Sequence, residues 1–455
     1  MQVPLLFKIL LSSFLFTFLQ HAANAQGLDW AAKIGGAGTD LVNALASDKE
    51  GNVYTAGSFS LNAKIGKTEM ISRGGGDFFV AKFNAKGQLL WQLSGGGPYD
   101  DFATCMSVDA SGDVFVAGIF TDTIHVSGQS VKAKGENDAF LMSISHEGKF
   151  EWIKGLGSGG SALPQAIGSQ GDQIYVGGVF TTNLGLGSLE GHGETDAFIA
   201  AYSSLGELRW MQSGGGAGYE EVKTLSTLSD GQVVLTGRFM NYAYFGEYKV
   251  KGGDNPAVFI ASYLSDGRLA WVQKVAGIDA EVDIVTSASS GKDIYLAGKL
   301  SGVASIADFN IRAQGMFDAL LLKFDADGTP VWALTSEGED DEGFQRISID
   351  ESGQIRAVGT FRQSFVWGKT KTKSSGDNNL FQLHLDENQK VVQLLSMPLL
   401  PDVVDNCYAL HADKSWLITG YFKNKRFFSK DYYLVAVGEE DIFLQKSFNK
   451  PATKK

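Results

Sequence analysis

The stretch from Gly74 to Trp91, GGGDFFVAKFNAKGQLLW, decides the fold. It runs from glycines through Asp77 into an apolar run, turns at Asn84-Ala85-Lys86-Gly87 and ends on Trp91. Similar text returns along the whole chain, and three landmarks measure its period. Trp stands at 30, 91, 152, 210, 271 and 332, at intervals of 61, 61, 58, 61 and 61 residues, with a degenerate copy near Val392. A Gly-x-aromatic triplet closes a β-branched run at Gly57, Gly118, Gly178, Gly237, Gly359 and Gly420, and Gly298 heads a variant ending in Leu300. Asp77, Asp138, Asp196, Asp318 and Asp441 precede an apolar run, with Ala257 and Asn379 at the two remaining equivalent places.

Each unit reads as four short strands. In the second they are expected at residues 101–109, 113–120, 138–144 and 150–154, separated by turns such as Ala110-Ser111-Gly112 and His146-Glu147-Gly148. No window shows the 3.6-residue period of an amphipathic helix, whereas β-branched runs bounded by glycine turns are strand text. A period of this length marks a repeat architecture. One twisted four-stranded sheet cannot bury both faces alone; a ring of such sheets buries each face against a neighbour. The expected fold is therefore all-β, a seven-bladed β-propeller of four-stranded antiparallel blades. The text around Trp30 is fourth-strand text and the text from Asp441 to Phe448 is third-strand text. The N-terminal strand is thus expected to complete the last blade and close the ring.

The pattern of GGGPYDDFATCMSVDASGDVFVAGIF followed by GENDAFLMSISHEGKFEW resembles the SBBP β-propeller repeat family of exported bacterial proteins, over residues 28–448. The resemblance implies the propeller and export. It implies no particular activity, because propellers host many unrelated ones. Such proteins often carry a C-terminal sorting domain. The Lys-rich tail at 450–455 is not one, which favours the periplasm or an outer-membrane-associated complex over surface display, with an extracellular location as the alternative.

Composition narrows the function. The 455 residues carry a net charge of −12, which disfavours binding to nucleic acid backbones. Gly is abundant at 56 against 8 Pro, as expected of many tight turns. Residues 1–25 read as a signal peptide: Lys8, an apolar run from Ile9 to Leu19 and an Ala23-Asn24-Ala25 cleavage site. That run is short of the roughly 20 residues needed to span a bilayer, so membrane contact is expected only peripherally or through a partner. Residues 26–449 then form one propeller domain. Cys105 and Cys407 fall at equivalent strand positions of non-neighbouring units, which favours two free thiols over one disulfide.

Two side-chain sets are candidate sites. Asp40, Asp101, Glu220, Glu281 and Glu342 stand where each unit's first strand begins. As a ring at one channel mouth they would suit a cationic partner or Ca2+, a hard cation that prefers oxygen ligands. The alternative is that each carboxylate fixes its own turn by accepting backbone N–H bonds. Arg362, Lys369, Lys371 and Lys373, with Lys423, Lys425, Arg426 and Lys430 in the next unit, form a basic patch that the repeat does not require. It would dock an acidic protein or an anionic membrane surface. The repeated Trp residues read as inter-blade core. No catalytic constellation is visible, and no cofactor is expected beyond Ca2+. The leading expectation is an exported, non-catalytic scaffold that binds another envelope protein, such as a component of an outer-membrane export or uptake assembly. The alternative is a carbohydrate-binding or carbohydrate-active propeller, glycosidase-like or lyase-like.

Overall fold

The computed structural model describes residues 28–447, except 158, 186–188, 254, 375–377, 400–402, 428–432 and 439. The expected signal peptide, the Lys-rich tail and Lys430 lie outside the described residues. All regular structure within them is β.

The second unit shows why the repeat folds as it does. Its strands are Phe102–Val108, Val114–Phe120, Asp138–Ile144 and Phe150–Gly155, within a residue or so of the sequence expectation, and they pair in chain order as an antiparallel sheet. Asp138–Ile144 is buried along its whole length, which is why it reads as continuously apolar text. Inner strands recur at Asp40–Ser47, Ala162–Gln170, Glu220–Thr227, the second half of Leu269–Ser290, Glu342–Ile349 and Val403–Leu410. Each opens a four-stranded set of the same order. The inner strands pack one against the next, and Val403–Leu410 packs against Asp40–Ser47.

The last set is completed by the first strand. Leu28–Gly36 pairs antiparallel with Asp441–Ser447, with Trp30 opposite Lys446 and Lys33 opposite Phe443. Lys33 Nζ lies 2.7 Å from Asp441 Oδ2, and Lys446 bridges Asp29 at 3.2 Å and Asp413 at 2.7 Å.

The Gly-x-aromatic triplet is explained by a bulge. Every inner strand shifts register once, between Val42 and Ala44, Ala103 and Cys105, Pro164 and Ala166, Val222 and Thr224, Ile284 and Thr286, Phe344 and Arg346, and Asp405 and Cys407. An extra residue twists a strand and re-aims a side chain. The bulge drives an inner-strand carbonyl against the second strand: a Cβ on Gly57 would meet the Leu41 carbonyl oxygen at 2.0 Å, and one on Gly237 the Glu221 oxygen at 2.0 Å. Only glycine fits there. Two residues later Phe59, Phe120, Phe180, Phe239, Leu300, Phe361 and Phe422 are buried between sets.

The Trp landmark ties neighbours together, as the core reading expects. Trp30, Trp91, Trp152, Trp210 and Trp271 each donate Nε1–H to a carbonyl in the next set's last turn, at 2.8–3.2 Å. The ring lies on a glycine of that turn; at Gly267, with φ +88°, an added Cβ would stand 2.7 Å from Trp210. Gly267→Ala therefore combines left-handed backbone strain with a steric clash, each worth about 1–3 kcal/mol. A loss of more than about 2 kcal/mol is expected in chemical denaturation; an unchanged midpoint would show that the Trp contact carries no stability.

The four-strand expectation was incomplete. A two-stranded hairpin stands between the second and third strands of most units, as at Thr123–Val126 with Gln129–Lys132 and Ser364–Trp367 with Thr370–Lys373. These hairpins extend the rim. One of them, Tyr242–Phe245, pairs with the preceding set's outer strand at Gly214 and Gly215.

Candidate functional site

The bulge places Asn43, Thr104, Gln165, Lys223, Val285, Gln345 and Asn406 at one equivalent position of successive inner strands. A cavity of about 330 Å3 is lined by residues of all these strands, so it runs along the axis they encircle. Several lining side chains stitch one inner strand to the next. Asn43 Nδ2 donates to the Ala103 carbonyl at 2.9 Å, Thr104 Oγ1 donates to that of Pro164 at 2.7 Å, and Gln165 Oε1 accepts from Val222 N at 3.1 Å. Cys105 and Cys407 also line this cavity, and both are unpaired thiols. Burial pushes each thiol up to about 12, so neither is a thiolate near neutral pH.

The acidic ring expected at a channel mouth is not an open ring. Asp40, Asp101, Glu220 and Glu342 are buried. Their carboxylates close turns: Asp40 Oδ2 accepts from Gly36 N at 2.9 Å, Asp101 Oδ2 from Gly97 N at 2.6 Å and Glu220 Oε2 from Gly216 N at 3.3 Å. Glu342 Oε2 accepts from Ser336 Oγ at 2.9 Å. Glu281 is the exception, about half exposed with Arg238 at 3.5 Å. The turn-fixing alternative therefore describes four of the five. They are sealed from a macromolecular partner, which corrects the mouth expectation.

Sequence reading missed that these acids meet the other acidic landmark. Asp77, Asp196, Asp318 and Asp441 also accept from a backbone N–H four residues earlier, at 2.7–3.0 Å. Short parallel bridges join the residues just before the two acids, as Thr39 with Glu440, Thr195 with Tyr219 and Phe317 with Asp341. Carboxyls from adjacent sets are thus held together as Asp441/Asp40, Asp77/Asp101, Asp196/Glu220 and Asp318/Glu342. A Cβ on Gly215 would meet Asp196 Oδ1 at 2.0 Å and Glu220 Oε2 at 2.9 Å. Burial first, and then repulsion from the partner acid, push Asp40 and Asp101 up to about 7 and Glu220 to about 8. Where Ala257 and Asn379 replace the strand-three acid, the inner-strand position is Val282 or Val403; Glu281 pairs with Ser301 and so stands one residue before the place of Asp40, while Asp138 keeps its acid beside a set that has Ala162 there.

The basic patch is only partly assembled. Lys369, Lys371 and Lys373 are exposed on or beside one rim hairpin, and Arg362 is exposed with Asp341 at 3.4 Å. Lys423 and Lys425 are exposed in the next set, Lys423 with Glu440 at 3.1 Å. Arg426 is not part of any surface: it is buried, its guanidinium 4.5 Å from the Phe443 ring centroid and its Nη2 donating to Gln445 at 3.3 Å. A guanidinium stacks on an aromatic face more readily than an ammonium, which takes it inward.

Together these features define an all-β, propeller-like repeat protein. No family model matches the chain. The uncharacterized WD repeat-containing protein L264 of Acanthamoeba polyphaga mimivirus is 20% identical over 435 residues, covering 73% of this chain and 31% of that protein. Regulatory protein FlaEY of Caulobacter vibrioides is 24% identical over 203 residues, covering 41% of this chain and 20% of that protein. The chain thus spans less than a third of the length of either relative. Among solved structures, Sqt1 from Chaetomium thermophilum aligns with a TM-score of 0.39 at 10% identity, covering 93% of this chain and 100% of that one. The calcium-binding protein regucalcin from Agrobacterium tumefaciens aligns with a TM-score of 0.32 at 11% identity, covering 77% and 92%. Among the described residues no helix is long and apolar enough to cross a membrane.

Proposed function

We propose that the chain is a closed, seven-bladed propeller of the SBBP repeat type, exported to a bacterial envelope, where it acts as a non-catalytic scaffold for another protein. The observation that carries this reading is the lysine-bearing rim hairpin. Lys369, Lys371 and Lys373 are exposed with no ion pair among the described residues, and nothing in the packing of the sets needs them. On a chain of net charge −12 they form a local field of opposite sign, suited to an acidic protein surface. A place in an outer-membrane export or uptake assembly fits the expected signal peptide and the rigid disc.

The test is affinity purification of the tagged chain from its native envelope. A stoichiometric partner is expected, released by raised salt and lost when the three lysines are changed to Glu. Capture unchanged by that reversal would place the docking surface elsewhere. A second reading, carbohydrate binding, is favoured by one feature: exposed Tyr244 and Tyr248 on another rim hairpin, two sets away, with the Tyr242 ring centroid 5.6 Å from that of Tyr244. Lys249 lies 4.3 Å from the Tyr242 ring centroid, so that ring already has a cation on it. Glycan binding or turnover without a protein partner would reverse the ranking.

A further inference from the structure

The axial cavity departs from its own repeat at one place. The residue after the bulge is small in the other inner strands: Ala44, Cys105, Ala166, Thr224, Thr286 and Cys407. The remaining strand carries Arg346, which lines the cavity. The side chain is solvent-accessible, yet enough protein surrounds it that desolvation lowers its pKa. Among the described residues it has no ion pair or hydrogen bond. Cys407 is the titratable group that acts on it, and a thiol pushed up to about 12 is neutral and supplies no counter-charge.

The residue beside it breaks the stitching pattern too. Asn43, Thr104 and Gln165 are engaged with the backbone of the next inner strand, whereas the Gln345 carboxamide is exposed to the cavity with no hydrogen-bond partner among the described residues. Lys223 adds a third donor from another strand, although Glu221 holds it at 2.6 Å. A guanidinium and a carboxamide side by side present a fork of N–H donors that matches an oxyanion, and a confined cavity strengthens such a contact relative to open water. The repeat does not need this arginine, since alanine fills the same position at 44 and 166.

We propose that the axial cavity is a binding site for a small oxyanion, a phosphate or a short carboxylate, held by Arg346 and Gln345 with Lys223 contributing charge. A cavity of about 330 Å3 admits such an anion but not a folded partner, so the site is independent of the rim surface.

Titration calorimetry at constant ionic strength tests it, with inorganic phosphate in one arm and succinate in the other. One site per chain is expected for at least one of the two anions, and the arm that binds identifies the group. Arg346→Ala, which installs the residue of two equivalent strands, is expected to weaken binding at least tenfold while keeping the anion-free melting temperature near that of the parent. Gln345→Ala is expected to weaken it severalfold, and Arg362→Ala on the rim to leave it unchanged. No saturable binding of either anion, or equal affinity in Arg346→Ala, would overturn the proposal.

Discussion

Deleting Leu28–Gly36 is expected to destabilise the whole domain, not only the set the strand belongs to. The strand fills the gap beside Asp441–Ser447 and supplies buried Ile34, the Lys33–Asp441 ion pair and the Trp30 contact to the next set. Without it, one edge of Asp441–Ser447 has no partner and Asp441 loses its cation. The backbone hydrogen bonds lost along this pairing cost about 0.5–1.5 kcal/mol each. Lost burial of Ile34 adds about 1.5–3 kcal/mol. The total approaches the whole stability of an ordinary domain, about 5–15 kcal/mol. A fall in melting temperature on the order of 10 °C or more is expected, with partial recovery when a synthetic peptide of residues 28–36 is added. A truncated chain that melts like the parent would remove the closure argument.

Stability is expected to fall as pH rises from about 5 to about 8, the reverse of ordinary acid lability. The paired carboxyls are responsible. In the unfolded chain they titrate near 3.8 for Asp and 4.5 for Glu; in the folded chain Asp40, Asp101 and Glu342 titrate at about 7, Asp77 at about 6 and Glu220 at about 8. Between those limits the folded state holds more protons than the unfolded one. Linkage then requires stability to decrease with pH until each folded pKa is passed. A shift of one unit is about 1.4 kcal/mol, and because each pair titrates as a unit the shifts do not simply add. A net loss of several kcal/mol across the window is expected. Asp413 works in the opposite sense. Its carboxyl is held low by hydrogen bonds from Lys446 and Ser415, so its contribution is present above about pH 4 and lost below. Maximum stability should therefore fall near pH 5. Glu220→Gln retains an oxygen for the Gly216 N–H and removes the charge. It is expected to raise stability at pH 8 by about 2–4 kcal/mol and to flatten the pH profile. A profile that rises from pH 5 to 8, or a Glu220→Gln protein less stable at pH 8, would refute the shared-proton account.

The period and its consequences were legible because they rest on residue types with one physical use. Gly57 and its equivalents must lack a Cβ under an incoming carbonyl, Phe59 and its equivalents must be large and apolar, and Trp30 and its equivalents must reach a neighbour's turn. Other periodic features left no such mark. Leu61, Asp122, Thr182, Asn241, Gly302, Gln363 and Asn424 all adopt left-handed φ at one equivalent place, yet they share no side-chain chemistry. Asn43, Thr104, Gln165, Lys223, Val285 and Gln345 line a solvated cavity that tolerates any of these side chains, so their common position was invisible in composition. The carboxyl pairs were half legible. Both acids recur as landmarks, but the 24-residue separation of Asp77 from Asp101 says nothing of contact until the sets are placed side by side. One available signal was their joint loss, Asn379 with Val403. Arg426 misled because a run of Lys and Arg reads as surface, whereas its place beside Phe443 is fixed by the strand partner.

Ring closure by the chain's two extremities is tested most directly by a cross-link between Ala31→Cys and Gln445→Cys in a Cys105→Ser, Cys407→Ser background. The two positions are direct cross-strand partners, within the Cα separation of about 4.4–6.8 Å that a disulfide spans. Mild oxidation is expected to give a monomeric, faster-migrating species in high yield that unfolds at higher denaturant than its reduced form. Free thiols or only intermolecular dimers after oxidation would contradict the closed ring.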